Sequence, residues 1–322
     1  MSLPPLFDRL RLPVIASPLF IISTPDLVIA QCKAGIVGSF PALNARPAGV
    51  LDDWLARITE ELAAHDRDHP DRPAAPFAVN QIVHRSNDRL EADLAVCARW
   101  KVPIVITSLG AREDLNAAVH GWGGITLHDI IDDRFARKAI DKGADGLIAV
   151  AAGAGGHAGT LSPFALVREI RDWFTGPLIL SGAIATGASI LAAQALGADL
   201  AYIGSPFIAT TEANADAAYK QGIVDGRAAD IVYSNLFTGV HGNYLRASIV
   251  AAGLDPDALP EGDLKTMDFG TGAGKTKAWR DIWGSGQGIG AIQAVEPAGV
   301  LVDRLAEGYA AARADLARRI GS

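Results

Sequence analysis

The chain has 322 residues, of which 49% are hydrophobic and 20% charged, and a formal net charge of −7. That length allows one large α/β domain or two smaller ones, and the composition is that of a globular enzyme rather than a disordered chain. The acidic balance excludes a surface built to neutralise nucleic-acid phosphates, which needs clustered Lys and Arg.

The apolar opening, LPVIASPLFII, is interrupted by Pro13 and Pro18 and carries neither a basic leader nor a cleavage site. It reads as a first strand rather than a signal peptide or membrane span, so the expected location is cytoplasmic. Short β-rich runs then alternate with amphipathic ones. The predicted strands are 14–19, 36–40, 76–82, 102–110, 124–130, 145–150, 177–184 and 200–207. Between them, PDLVIAQCKAG, LDDWLARITEELAAH, RLEADLAVCARW and SILAAQALGA carry apolar residues at the three-to-four spacing of helices, several ending in Gly. Continuous Val/Ile/Leu strands suit a parallel sheet covered on both sides. A doubly wound sheet would usually carry a dinucleotide fingerprint in its first turn, and ASPLFIISTP has no glycine. The prediction is a (β/α)8 TIM barrel over 1–226, with the catalytic face at the strand C-termini.

After Gly226 the alternation stops. Residues 227–292 are read as an appended helical substrate subdomain closing one barrel end, and 293–322 as a C-terminal helix packing back on the barrel. The two cysteines, Cys32 and Cys97, lie far apart with no metal-ligand spacing, so they read as buried thiols in a reducing compartment. HDRDHPDRP (65–73) has two histidines, but its charge and prolines fit a solvated turn better than a metal site. No metal is expected.

Two glycine-rich stretches compete for a phosphate. GTGAGKT (270–276) resembles a P-loop, yet Phe269 stands where the first glycine is required and no apolar strand precedes it. SGAIATG (181–187) and GSPF (204–207) follow the seventh and eighth strands, where such barrels commonly grip a phosphate with backbone N–H groups. AAGAGGHAGT (151–160) follows the sixth strand and surrounds His157 with small residues. Its glycines permit close approach to a flat ring while the imidazole projects into the cleft as a base or hydrogen-bond donor.

ASP (16–18), AVN (78–80), GAGGHAG, SGAIATG, IGSPF and WGSGQGIG occur in the order found in the nitronate monooxygenase family, which this chain resembles over about residues 10–295. That family was formerly called 2-nitropropane dioxygenase, and it includes NAD(P)H-dependent flavin oxidoreductases and FabK-type enoyl reductases. The resemblance implies a TIM barrel binding FMN non-covalently and a helical substrate domain. Carried over residue by residue, it places Ala16, Ser17, Pro18, Asn80, Gly155 and Gly156 by the flavin ring and His157 as catalytic base. Ser181, Gly182, Ala183, Gly204 and Ser205 would hold the phosphate, and Gln287 would face the cleft. Two departures stand out. His128 occupies the end of strand five where many members have Lys, and Ala183 replaces a Gly, which is tolerable only if its backbone is not left-handed.

The activity implied is oxidation of alkyl nitronates by O2 to a carbonyl compound and nitrite, with His241, Tyr244 and Arg246 as substrate-facing groups. The alternative is an NAD(P)H-dependent reductase of a quinone or enoyl thioester, with Lys275, Lys277 and Arg280 as a basic rim. A third reading, a phosphate-binding barrel with no redox cofactor, has no strand-end lysine or clear acid pair to support it. Neither a nucleic acid nor a membrane is an expected partner, and a homodimer is compatible with the resemblance.

Overall fold

The computed structural model describes residues 3–47, 49–262 and 281–321. Eight parallel strands form the barrel: β1 (Val14–Ala16), β2 (Gly38–Pro41), β3 (Phe77–Ile82), β4 (Ile104–Ser108), β5 (Ile125–Ile130), β6 (Gly146–Val150), β8 (Leu178–Ser181) and β9 (Leu200–Ile203). Their order around the sheet is β1-β9-β8-β6-β5-β4-β3-β2. A single parallel pairing, Ile15 with Val37, joins β2 back to β1 and completes the ring. Each strand is shorter than its apolar run. After β1 and β8 the chain turns out of the sheet into loops at the barrel mouth, and after β9 it enters a short helix at Ser205–Ile208. Apolar side chains continue there because they line a cavity, which a reading based on hydrophobic runs cannot separate from strand.

Strand alternation sorts the side chains into two layers. Ile15, Val37, Ala78, Ile106, Leu127, Ile148, Ile179 and Leu200 fill the barrel interior. The alternate residues pack beneath the helices, among them α1 (Pro25–Lys33), α2 (Val50–Asp68), α3 (Leu90–Arg99), α4 (Glu113–Gly121), α5 (Asp133–Asp141), α6 (Pro163–Arg171) and α7 (Gly187–Leu196). α7 has a reciprocal Thr186–Ser189 capping box and stops at Gly197 in the left-handed conformation, as the Gly-terminated pattern predicts. Cys32 and Cys97 are fully buried, and burial pushes both thiols up to about 12, so neither is a nucleophile at neutral pH.

α8 (Ser205–Ile208) and α9 (Ala217–Asp225) lead out of the barrel. The following segment carries α10 (Arg246–Ala251) and short 3-10 turns, but also two strands absent from the sequence reading: β10 (Ile231–Ser234) and β11 (Gly242–Leu245). β11 pairs antiparallel with β10 and with β7 (Gly156–His157), a two-residue strand inside the glycine loop. IVYS and GNYL are too short to show a period of two against the apolar residues around them, hence the helical reading. α11 (Ala298–Ile320) packs on α7 and α1, and its Arg304 pairs with Glu296 at 2.5 Å. In the charged turn, His65 and His69 stack at 4.5 Å, and among the described residues no three metal-ligating side chains cluster. No helix of the described residues is long and apolar enough to cross a membrane. The GTGAGKT loop with Lys275, Lys277 and Arg280 lies outside the described residues.

Candidate active site

A cavity of about 1060 Å³ opens at the C-terminal ends of the barrel strands. That is the upper end of the usual range for ligand pockets, with room for a cofactor and a substrate together. Ser17, Pro18, Asn80, His128, Gly155, Gly156, His157, Ser181, Gly182, Ala183, Gly204, Ser205, His241 and Tyr244 all line it. Residues up to 227 positions apart in the chain are thus brought together. Ala16 and Gln287 do not line it. Ala16 is wholly buried in the β1 ladder, where its carbonyl accepts a hydrogen bond from Ser39. Gln287 is exposed behind the glycine loop, its N–H donating to Gly153 O at 2.9 Å, while its neighbours Gly286 and Gly288 reach the cavity. Arg246 pairs with Asp257 at 2.8 Å, away from the cavity.

The floor is the last interior layer of the strands. Asn80 Nδ2 donates to Ser108 Oγ at 2.8 Å, and Ser108 Oγ donates to Asp129 Oδ2 at 2.6 Å. Tyr202 closes the layer from β9. Asp129 and Tyr202 are absent from the sequence-based site. The missed signal was phase: in ITLHDI the residue sharing a face with interior Leu127 is Asp129, not His128. His128 lies on the other strand face, its Nδ1 2.6 Å from Thr107 Oγ1. Burial, helped by the nearby Lys138 charge, draws it down to about 4, so it is neutral at pH 7. It supplies no fixed positive charge of the kind a Lys would.

The wall is built around β7. Gly156 adopts φ +67, and a Cβ at Gly155 would lie 2.8 Å from Gly286 N, so the loop presses against the 285–286 turn as only glycine allows. Asn243 Nδ2 donates to Ala154 O at 2.6 Å and Ser205 Oγ accepts from Gly286 N at 2.9 Å, fastening the loop from two sides. His157 Nε2 stands 3.0 Å from Thr238 Oγ1, and the Thr238 hydroxyl donates to Val240 O at 2.8 Å. A hydroxyl has one proton. With that proton on Val240 O it accepts from the ring, so the proton of neutral His157 sits on Nε2 and the lone pair on Nδ1. His157 lines the cavity, and burial draws the ring down to about 4. It is therefore an unprotonated base at neutral pH, and an anion formed beside it would raise its affinity for the proton.

Ala183 fails the condition set by the sequence: its φ is +54, in the left-handed region, and its N–H donates to Gly153 O at 3.2 Å. An L-residue there costs about 1–2 kcal/mol. The contact with the glycine loop holds it in place. At the mouth, Phe20, Ile21, Leu109, Ile131 and Phe135 leave 37–44% of their surface exposed, forming an apolar rim.

The chain is similar to known proteins over most of its length. A family profile described as nitronate monooxygenase matches residues 6–308. A nitronate monooxygenase of Paraburkholderia phytofirmans is 28% identical over 295 residues, covering 76% of each chain. The solved nitroalkane oxidase of Streptomyces ansochromogenes superposes with a TM-score of 0.82 at 25% identity, over 97% of this chain and all of that one. FabK from Thermotoga maritima shares the fold, with a TM-score of 0.74 at 24% identity over 98% and 99% of the two chains. A TIM barrel with this cavity at its catalytic face, matched by the family profile over nearly its whole length, belongs to the nitronate monooxygenase family and is a flavin-dependent oxidoreductase.

Proposed function

We propose that the protein binds FMN non-covalently and oxidises alkyl nitronates with O2 to a carbonyl compound and nitrite. The observation that carries this reading is His157, a neutral imidazole with an oriented tautomer on the wall of a cavity large enough for a flavin and a small substrate. The residues present fit the cofactor. A Cβ at Gly156 would meet nothing within 4 Å, which leaves room for a flat ring, and Tyr202 offers a buried hydroxyl not yet hydrogen-bonded to protein. Ser181 and Gly182 on one side, with Gly204 and Ser205 on the other, would hold the phosphate.

FMN, when bound, supplies the redox chemistry, taking electrons from the nitronate and passing them to O2. The protein's part is placement and proton transfer. With a neutral nitroalkane, His157 takes the proton from the carbon, and Thr238 orients the ring. With a preformed nitronate no base is needed, and His157 serves to hold the anion. His241, stacked on Tyr233 at 4.9 Å, and Tyr244 flank the substrate side.

The apolar rim favours a second reading, NAD(P)H-dependent reduction of a bulky acceptor such as a quinone or an enoyl thioester, since a small nitronate does not need it. Anaerobic spectra of the FMN-loaded protein separate the two. Bleaching by propyl nitronate but not by NADH supports the monooxygenase; rapid bleaching by NADH with no response to nitronate overturns it in favour of the reductase.

A further inference from the structure

Asp129, the penultimate residue of β5, lies in the topmost interior layer of the barrel, and neither the sequence motifs nor the proton chemistry of His157 uses it. One oxygen accepts the Ser108 hydroxyl at 2.6 Å; the other is buried with no hydrogen-bond partner, as is the Tyr202 hydroxyl. No ion pair reaches it among the described residues. Around it, β4 contributes the uncharged Ser108, β6 the apolar Val150, and β9 Tyr202; His128 faces the other side of the strand, and Lys138 on α5 acts on His128. Burial without a cation holds the Asp129 carboxyl up to about 6. An acid kept in such a place costs stability that an amide or apolar side chain would not, which points to a use for its charge. A planar ligand laid from the Gly182 and Gly204 loops across the barrel mouth has to cover this layer.

We propose that Asp129 is a flavin-facing acid that sets the reduction potential of bound FMN by opposing negative charge on the reduced ring. The inference rests on the FMN reading above. It makes this cavity the opposite of one floored by a lysine: a cation favours the anionic reduced ring, whereas a carboxylate opposes it. When Asp129 carries its proton the opposition disappears, so the effect belongs to the higher pH range.

The test uses FMN-loaded wild type and Asp129→Asn, with potentials measured by dye equilibration from pH 5 to 9. At pH 8.5 the variant should favour reduced over oxidised FMN at least tenfold more than wild type, an upward shift of about 30 mV for a two-electron couple. The gap should close towards pH 5. Identical potentials throughout, or a gap that does not change with pH, overturn the proposal while leaving the nitronate reading intact. Should Asp129→Asn fail to fold, Ser108→Ala keeps the acid and removes its donor. It should move the pH break in the potential upward, and an unmoved break overturns the proposal. A wild-type protein that takes up no FMN brings down both readings, whereas nitronate-inert protein with the expected potentials brings down only the reaction.

Discussion

The two sides of the cavity are made differently. The floor comes from consecutive strand ends of one barrel, each residue positioned by a ladder that runs the length of its strand. The wall around His157 comes from a loop, a two-residue strand and a paired segment about 80 residues downstream, held by a few named hydrogen bonds. The floor therefore tolerates replacement of single side chains, while the wall depends on each of its contacts. Chemistry that needs a fixed geometry is placed on the less redundant side.

Substitutions can set wall against floor. The largest effect is expected from His157→Asn, which should lower kcat/KM for neutral nitroalkanes by about 10²–10⁴, as expected for loss of a general base, with FMN still bound. Turnover of preformed nitronate should fall far less; equal losses on both substrates would contradict the base assignment. Gly155→Ala drives a Cβ into Gly286 N and should cost about 1–3 kcal/mol in denaturant melts, with weaker FMN retention. A normal melting curve with full FMN content would show that the wall can relax.

Thr238→Val removes the acceptor for Nε2–H with almost no change of shape. It should reduce neutral-nitroalkane turnover about tenfold and spare nitronate, less than the roughly 10²–10⁴ that the base itself contributes. Thr238→Ser should restore it, and failure of that rescue would mean that the methyl group, not the hydroxyl, matters. The smallest effect belongs to the floor's edge. Ala183→Gly relieves the left-handed backbone at the expense of chain entropy, for a net gain of about 0.5–1 kcal/mol seen as a raised Tm. A lowered Tm would mean that the Ala183 methyl contributes packing worth more than the strain.

How much of this was readable beforehand follows the same division. The barrel was visible, because each βα unit announces itself locally by apolar period and terminal glycine, and most of the cavity lining came with the family resemblance. His157 stood out because the glycines around it, placed after the sixth strand, permit close approach to a ligand. Asp129 was missed for want of strand phase: one residue's shift in ITLHDI exchanges the interior acid for the outward His128. Thr238 and Asn243 could not be found, since no local pattern records a partner some 80 residues away. Gln287 was placed in the cleft by a motif whose two flanking glycines, rather than its side chain, approach the cavity.

The ring of strands has one thin junction. Seven neighbouring pairs share two or more residues of ladder, whereas among the described residues β1 and β2 have one backbone pairing, Ile15 with Val37, backed by the Ser39 hydroxyl on Ala16 O. Above that seam Asn44 acts as a latch: its Nδ2 donates to Leu19 O and Ser23 O at 2.9 Å each, and its Oδ1 accepts from Ile21 N at 2.8 Å. Breathing of the barrel is therefore expected to begin here, at the flank of the cavity that ends in Ser17 and Pro18. A ligand resting on those residues and on the far loops spans the seam, so filling the cavity also closes the barrel, and local opening becomes a measure of occupancy.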